Sequence, residues 1–274
     1  MIDFKFGSRV YIMGVLNITP DSFSGDGVYQ DVGRAVETAE RLVEDGADII
    51  DIGGESTRPG AEPVTIEEEI RRVIPVIKKL SKRINTPISI DTTKSDIARL
   101  ALENGASIVN DVTGLGSDFK IIEIIREFNA MVVLMHMKGT PQTMQYSPNY
   151  GNLIQEIKDK LRDSIEKAVK GGIKKENIII DPGIGFGKTL EHNLEILNKL
   201  SEFKEFKLPI LVGPSRKSFI GKITGAGPDK RIFGTAASVA IAIKNGADIV
   251  RVHDVKEMKE VAAVSYAISR NGEK

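Results

Sequence analysis

The sequence predicts an α/β protein, a (β/α)8 TIM barrel, on three observations: eight short aliphatic runs alternating with helical segments, a glycine-closed unit that recurs three times, and polar residues where the aliphatic runs end. The length of 274 residues is close to the roughly 250 typical of such a barrel, so one domain over residues 1–274 is expected. The aliphatic runs are continuous, which implies strands covered on both faces, as in a parallel sheet.

In chain order the predicted strands are residues 10–18, 48–52, 87–92, 107–112, 130–137, 177–181, 209–213 and 248–252. Between them, spacings of three and four between apolar positions predict helices over 34–44, 66–80, 97–103, 121–128, 153–169 and 190–200, and residues 235–243 read as a helix apolar on nearly every side. Pro75 is expected to kink the second helix or to divide it. The repeated unit closes a helix on Gly46, Gly105 or Gly246 and continues with alanine, a polar residue and an aliphatic strand. Glycine suits the left-handed position that ends a helix. Five residues after each glycine comes a polar side chain: Asp51, Asn110 and Arg251. The other strands end at Asn17, Asp91, His136, Asp181 and Ser215. A doubly wound open sheet also alternates strand and helix, but rarely has eight units ending this way. Residues 19–30 and 53–65, after the first and second strands, are long connections rich in glycine and proline, and their composition suits mobile lids over the mouth of the barrel.

Composition excludes several classes of function. Net charge is zero and basic runs are absent, so a nucleic-acid partner is not expected. Without cysteine there is neither disulfide nor thiolate metal site nor thiol nucleophile. The histidines, His136, His192 and His253, lack metal-ligand spacing. No stretch has the ~18 apolar residues of a membrane span, and residues 1–9 do not read as a secretory signal, so a cytoplasmic location is expected.

Candidate chemistry gathers at the strand ends. Asp181 reads either as a carboxylate capping a loop or as a paired acceptor for a planar N–H/NH₂ edge. With Asp91, Asn110 and Lys217 it would suit a nitrogen heterocycle carrying amino and oxo groups. Arg251 and His253 alternate on the last strand and share one side of it; they are either solvated residues or part of the phosphate site that barrels often hold there. Asn17 could add an oxygen ligand for Mg²⁺, which takes few protein ligands beside phosphate oxygens. The run Gly187-Lys188-Thr189 resembles the end of a nucleotide loop, but that motif needs glycine where this chain has Pro182. Gly183, Gly185 and Gly187 read instead as a tight turn close to a ligand, with Phe186 packing on it.

These residues resemble dihydropteroate synthase. The resemblance runs from about Tyr11 to Val255 and rests on eight motifs in order: the stretch from Gly14 to Ser24, Asp51-Ile52-Gly53-Gly54-Glu55-Ser56-Thr57-Arg58-Pro59-Gly60, Asp91-Thr92, Asn110-Asp111-Val112, Met135-His136-Met137, the stretch from Asp181 to Lys188, Ser215-Arg216-Lys217-Ser218-Phe219, and Arg251-Val252-His253-Asp254. The family joins 4-aminobenzoate to a dihydropterin hydroxymethyl diphosphate and releases diphosphate. The resemblance implies pterin contacts at Asp91, Asn110, Met135, Asp181 and Lys217, and diphosphate contacts at Asn17, Arg58, Arg251 and His253 with Mg²⁺ on Asn17. It implies an aminobenzoate pocket of Phe23, Thr57, Pro59, Phe186, Ser215 and Lys217, and a homodimer through the helix at 235–243, whose apolar surface reads equally as burial within one subunit. The catalytic set would be Asp91, Lys217, Arg251 and His253. In the family's dissociative route, cations and Mg²⁺ neutralise departing diphosphate and Asp91 faces the pterin cation left behind. The sequence departs from the family in its first lid, where Gly25 precedes Asp26, and at Thr93. A pterin-binding module of the related methyl-transfer barrels is the alternative; those lack the two lids and the Ser-Arg-Lys segment.

Overall fold

The computed structural model describes residues 4–19, 32–58 and 60–270. Phe23, Pro59, Asp26 and most of the first predicted lid lie outside the described residues.

Eight parallel strands form one sheet: β1 (Tyr11–Asn17), β2 (Ile49–Gly53), β3 (Ile88–Asp91), β4 (Ile108–Asp111), β5 (Met131–Met135), β6 (Ile178–Asp181), β7 (Leu211–Val212) and β8 (Ile249–Val252). Neighbours follow the order β6-β5-β4-β3-β2-β1-β8-β7, and a parallel bridge between Ile180 and Ile210 brings β6 against the start of β7, closing the barrel. Helices alternate with the strands: α1 (Val32–Glu44), α2 (Ile66–Leu80), α3 (Ser95–Glu103), α4 (Lys120–Glu127), α5 (Leu153–Lys170), α6 (Leu190–Asn198), α7 (Ser218–Thr224), α8 (Ile232–Lys244) and α9 (Val255–Arg270).

Side chains on each strand divide into two sets with a period of two. Ile12, Ile50, Ile90, Val109, Val132, Ile180, Val212 and Val250 pack with the buried faces of the helices. Tyr11, Met13, Ile49, Ile108, Met131, Val133, Ile179, Leu211 and Ile249 form a separate cluster that includes no helix residue. That second cluster is the barrel interior, filled by side chains as small barrels require. Phe4 and Phe6 plug its lower end, and their rings meet the Tyr11 ring edge-on at 4.8 and 5.5 Å.

The recurrent glycines behave as the sequence implies. Gly46, Gly105 and Gly246 have φ of 104°, 109° and 106°, a left-handed region open to glycine without steric cost. Each ends its helix and sends the chain into the next strand in the same way, so residues five positions later emerge at the same height in the barrel. Pro75 neither divides α2 nor ends it: the helix is continuous from Ile66 to Leu80. Pro75 is on the exposed side, where water can serve the Arg71 carbonyl that a proline nitrogen cannot.

The connection after β2 is held rather than free. Lys94 Nζ bonds Glu55 Oε2 at 2.5 Å, Glu69 Oε2 at 2.6 Å and the Val64 carbonyl at 2.7 Å. Glu69, buried on α2, also accepts from Thr92 Oγ1 at 2.8 Å. This ties both ends of the loop to α2 and to the exit of β3, leaving Arg58 exposed and Thr57 half-buried. A third long connection, residues 136–152 after β5, was not singled out by the sequence. It reaches over the same end of the barrel: Gln145 Nε2 donates to the Gly185 carbonyl at 3.0 Å, and the Gly60 amide donates to the Pro141 carbonyl at 3.2 Å.

Candidate active site

One step above the apolar interior, the same inward positions become polar. Asp51 follows Ile49, Asp91 follows Ser89, Asn110 follows Ile108, Asp181 follows Ile179 and Arg251 follows Ile249. The three residues delivered by the repeated unit meet: Arg251 Nε donates to Asp51 Oδ2 at 2.6 Å, and Asn110 Nδ2 donates to the same oxygen at 3.2 Å. Arg251 Nη2 also donates to Asp91 Oδ2 at 2.8 Å. Asp51 is fully buried, so its charge is tolerable only because Arg251 and Asn110 face it. Among the described residues its other oxygen, Oδ1, has no hydrogen-bond partner, and neither has Ser89 Oγ, which sits in register with Asp51 on β3. Asp51 is the residue of this cluster that the resemblance did not assign; its signal was the repeat itself.

Burial pushes Asp91 up to about 7, against the pull of Arg251. Asp181 is also buried and raised to about 6, partly offset by the Gly183 amide, which donates to Oδ1 at 2.7 Å, and by Lys217 and Lys188. Among the described residues its second oxygen accepts no hydrogen bond, leaving an acceptor for a ligand. The capping reading of Asp181 is seen directly in the bond from the Gly183 amide, while Oδ2 stays open on the side of the barrel mouth. Gly183 permits this arrangement, since a Cβ there would lie 1.9 Å from the His136 carbonyl oxygen.

Lys217 opposes these carboxylates. Its ammonium lies 4.1 Å from the centre of the Phe186 ring, and burial lowers it to about 8. Phe186, Met135, Val112 and Met144 form one apolar cluster, with Met137 packed against it, a wall suited to the face of a flat ring. Asn17, at the end of β1, lies beside Asp91 across Gly53: a Cβ on Gly53 would meet Asp91 Cβ at 3.5 Å and Asn17 Oδ1 at 3.7 Å.

His253 is held by Ser215. Its amide donates to Ser215 Oγ at 3.2 Å, and Ser215 Oγ lies 3.0 Å from Nδ1. The serine oxygen accepts from the amide and can donate its own proton to Nδ1, an arrangement in which the neutral ring carries its proton on Nε2. Burial, then the Arg251 and Arg216 charges, lowers His253 to about 4. It therefore offers an N–H donor at neutral pH and not the positive charge implied by grouping it with arginine.

One strand-end residue, His136, is placed differently from the rest. His136 faces Lys188, whose Nζ lies 3.0 Å from its Nδ1 and donates to the Phe186 carbonyl at 2.8 Å. The pair is buried beneath the 183–187 turn, so Lys188 supports that turn and has no part in a nucleotide loop. Burial lowers Lys188 to about 7. Arg58 is exposed at the tip of the second connection, near enough to bear on the charge of Lys217. Among the described residues no group of three or more acidic or histidine side chains could hold a metal by itself.

Fold and rim together define a (β/α)8 barrel whose mouth gathers buried acceptors and an apolar wall beside an arginine and a histidine. The chain belongs to the family of pterin binding enzymes, whose model matches residues 13–253. It is 48% identical over 268 residues to the dihydropteroate synthase of Synechocystis, covering 97% of this chain and 93% of that one. Among solved structures it resembles the Yersinia pestis dihydropteroate synthase in complex with a sulfonamide drug (TM-score 0.91, 43% identity, 95% and 94% of the two chains). It also resembles that of Xanthomonas albilineans in complex with 7,8-dihydropteroate (TM-score 0.86, 38% identity, 95% and 94%).

Proposed function

We propose that the chain condenses 6-hydroxymethyl-7,8-dihydropterin diphosphate with 4-aminobenzoate, giving 7,8-dihydropteroate and diphosphate in folate biosynthesis. The observation that carries this reading is the convergence of Asp181, Asn110, Asp91 and Lys217 with Arg251 and His253 on one rim, in a chain nearly half identical to a named synthase. Asp181 and Asn110 take the amino and ring N–H edge of the pterin, while Met135 covers its face. Lys217 meets its acceptor side.

The C–O bond from the pterin methylene to the diphosphate breaks first, and the bonding electrons leave with the diphosphate. Arg251 holds that anion; its guanidinium has five N–H donors, so it can keep Asp51 and still face the diphosphate. His253 adds the Nε2 proton. The Asp91 carboxylate, which the neighbouring arginine draws toward the ionised form against its burial, stabilises the pterin cation. The arylamine nitrogen then attacks, and its proton passes to water. Ser215, Thr57, Phe186 and Lys217 orient the aminobenzoate, together with Phe23 and Pro59. Mg²⁺ would neutralise part of the diphosphate charge. Asn17 Oδ1 fits it as a lone neutral ligand, with phosphate oxygens and water completing the shell.

The same reading includes a homodimer in the cytoplasm. On α8, Thr235, Ser238, Val239, Ala242 and Ile243 are buried, so half of this apolar helix is used within the chain. Phe233, Ala237 and Ile241 form an exposed stripe on its other side, and Val264 and Ile268 are exposed on α9, which packs against α8; such apolar exposure suits a second copy. Sedimentation at micromolar concentration should give a dimer that Phe233→Glu dissociates.

Diphosphate release that requires both 4-aminobenzoate and Mg²⁺ tests the central reading. Folded protein that binds pterin without regard to the diphosphate group, and shows no turnover, would favour a methyl-transfer module instead.

A further inference from the structure

The segment that carries Ser215 and Lys217 also carries Arg216, whose backbone is in the left-handed region at φ 56°. A long side chain adopts that conformation only where the surroundings hold it. Three contacts do so. The Arg216 amide donates to Oγ1 of the buried Thr235 at 3.1 Å, and its carbonyl accepts from Arg231 Nη1 at 2.9 Å. Its guanidinium makes two parallel bonds to Asp254, from Nε to Oδ2 at 3.1 Å and from Nη2 to Oδ1 at 2.5 Å. Asp254 is the residue after His253, and the His253 ring is itself bonded to Ser215. The exits of β7 and β8 are therefore laced together twice, once inside the site through Ser215 and His253 and once behind it through Arg216 and Asp254.

We propose that Arg216 and Asp254 are positioning residues. Their forked ion pair sets Ser215 and Lys217, which would face the pterin and the arylamine, at a fixed distance from His253, which would face the diphosphate. This rests on the proposed reaction for the roles of those three residues. A planar fork fixes direction as well as distance, which a lysine at position 216 would not do. The strained backbone lets residues 215 and 217 turn to the site while 216 turns away from it.

Four variants separate this from a role in stability alone. Asp254→Asn preserves shape and removes the charge; Arg216→Lys keeps the charge and removes the fork. Arg216→Gly relieves the left-handed backbone and removes the pair. The exchange Arg216→Asp with Asp254→Arg restores a pair, using a residue that tolerates left-handed φ. In the active wild type, each single variant should lower kcat/KM by about 10- to 100-fold, with kcat falling along with any rise in KM, and the exchange should recover part of that. Melting curves establish that each variant is folded. Wild-type kinetics in the folded single variants would overturn the proposal, even if their melting temperatures fall. Should the wild type itself show no turnover, the proposed reaction fails and the inference is read from a crystal structure of the Arg216→Gly variant. Loss of the contact between Ser215 Oγ and His253 Nδ1 supports it there; a segment 215–217 that has not moved overturns it.

Discussion

The lower and upper halves of the barrel interior are built from the same strands, two residues apart, and they serve opposite ends. Ile49, Ile108, Ile179 and Ile249 fill the lower half with aliphatic side chains. Asp51, Asn110, Asp181 and Arg251, next on the same faces, form the upper half, where burial works against the charged groups and shifts Asp91, Asp181 and Lys217 toward neutrality. Apolar burial stabilises the fold, whereas a desolvated carboxylate costs stability and persists when binding needs it. The comparison separates residues that hold the barrel from residues that the barrel holds against their own preference.

Arg251→Met breaks the contrast most severely. It leaves Asp51 and Asp91 buried without their cation, and unfolding in urea should show a loss of about 3–5 kcal/mol together with loss of turnover. Ile179→Ala, in the lower half, should cost about 2–5 kcal/mol for the cavity, while the folded fraction keeps kcat/KM within about threefold of wild type, since the side chain faces no ligand. A large drop in kcat/KM there would show that the two halves are not separable.

Asp181→Asn should act in the other direction. A carboxylate raised to about 6 in the folded chain, from an ordinary value near 4, favours folding only when protonated. Its contribution is complete below the unfolded value and is lost as pH rises through 6. At pH 7.5 the neutral amide should therefore raise stability by about 1–3 kcal/mol, measured by thermal or urea unfolding, and abolish pterin binding in calorimetry. An unstabilised variant would mean that the Gly183 amide and nearby lysines already offset the burial. The mildest test is pH alone. Affinity for the pterin should fall as pH drops below about 6, where Asp181 takes up a proton, and again above about 8, where Lys217 loses one. A flat profile from 5 to 9 would remove these two groups from binding.

Much of this was legible in the chain. Aliphatic runs and their spacing determined eight strands and most of the helices, because a buried parallel strand must be apolar on both faces. The glycine repeat marked Asp51, Asn110 and Arg251 as equivalent, and the closed barrel brings all three together. Strand ends alone overcounted: His136 reads like its counterparts, yet it alternates with the inward Met135 and meets Lys188 beneath a turn. Pro182 already set Lys188 apart from a nucleotide loop, but its burial against His136 was not readable, because sequence shows which residues adjoin and not which are desolvated.

By itself the sequence determined the barrel, its inward and outward faces and the height at which polar groups emerge, since these follow from local periodicity and helix ends. Only the tertiary structure decided that Arg251 faces Asp51 and Asp91, that His253 is a neutral donor steadied by Ser215, and that the loops after β2 and β5 touch. Those outcomes depend on closure of the sheet, which brings Arg251 to Asp51 across 200 positions, and on the loss of water around them, and neither is encoded in any short stretch of chain.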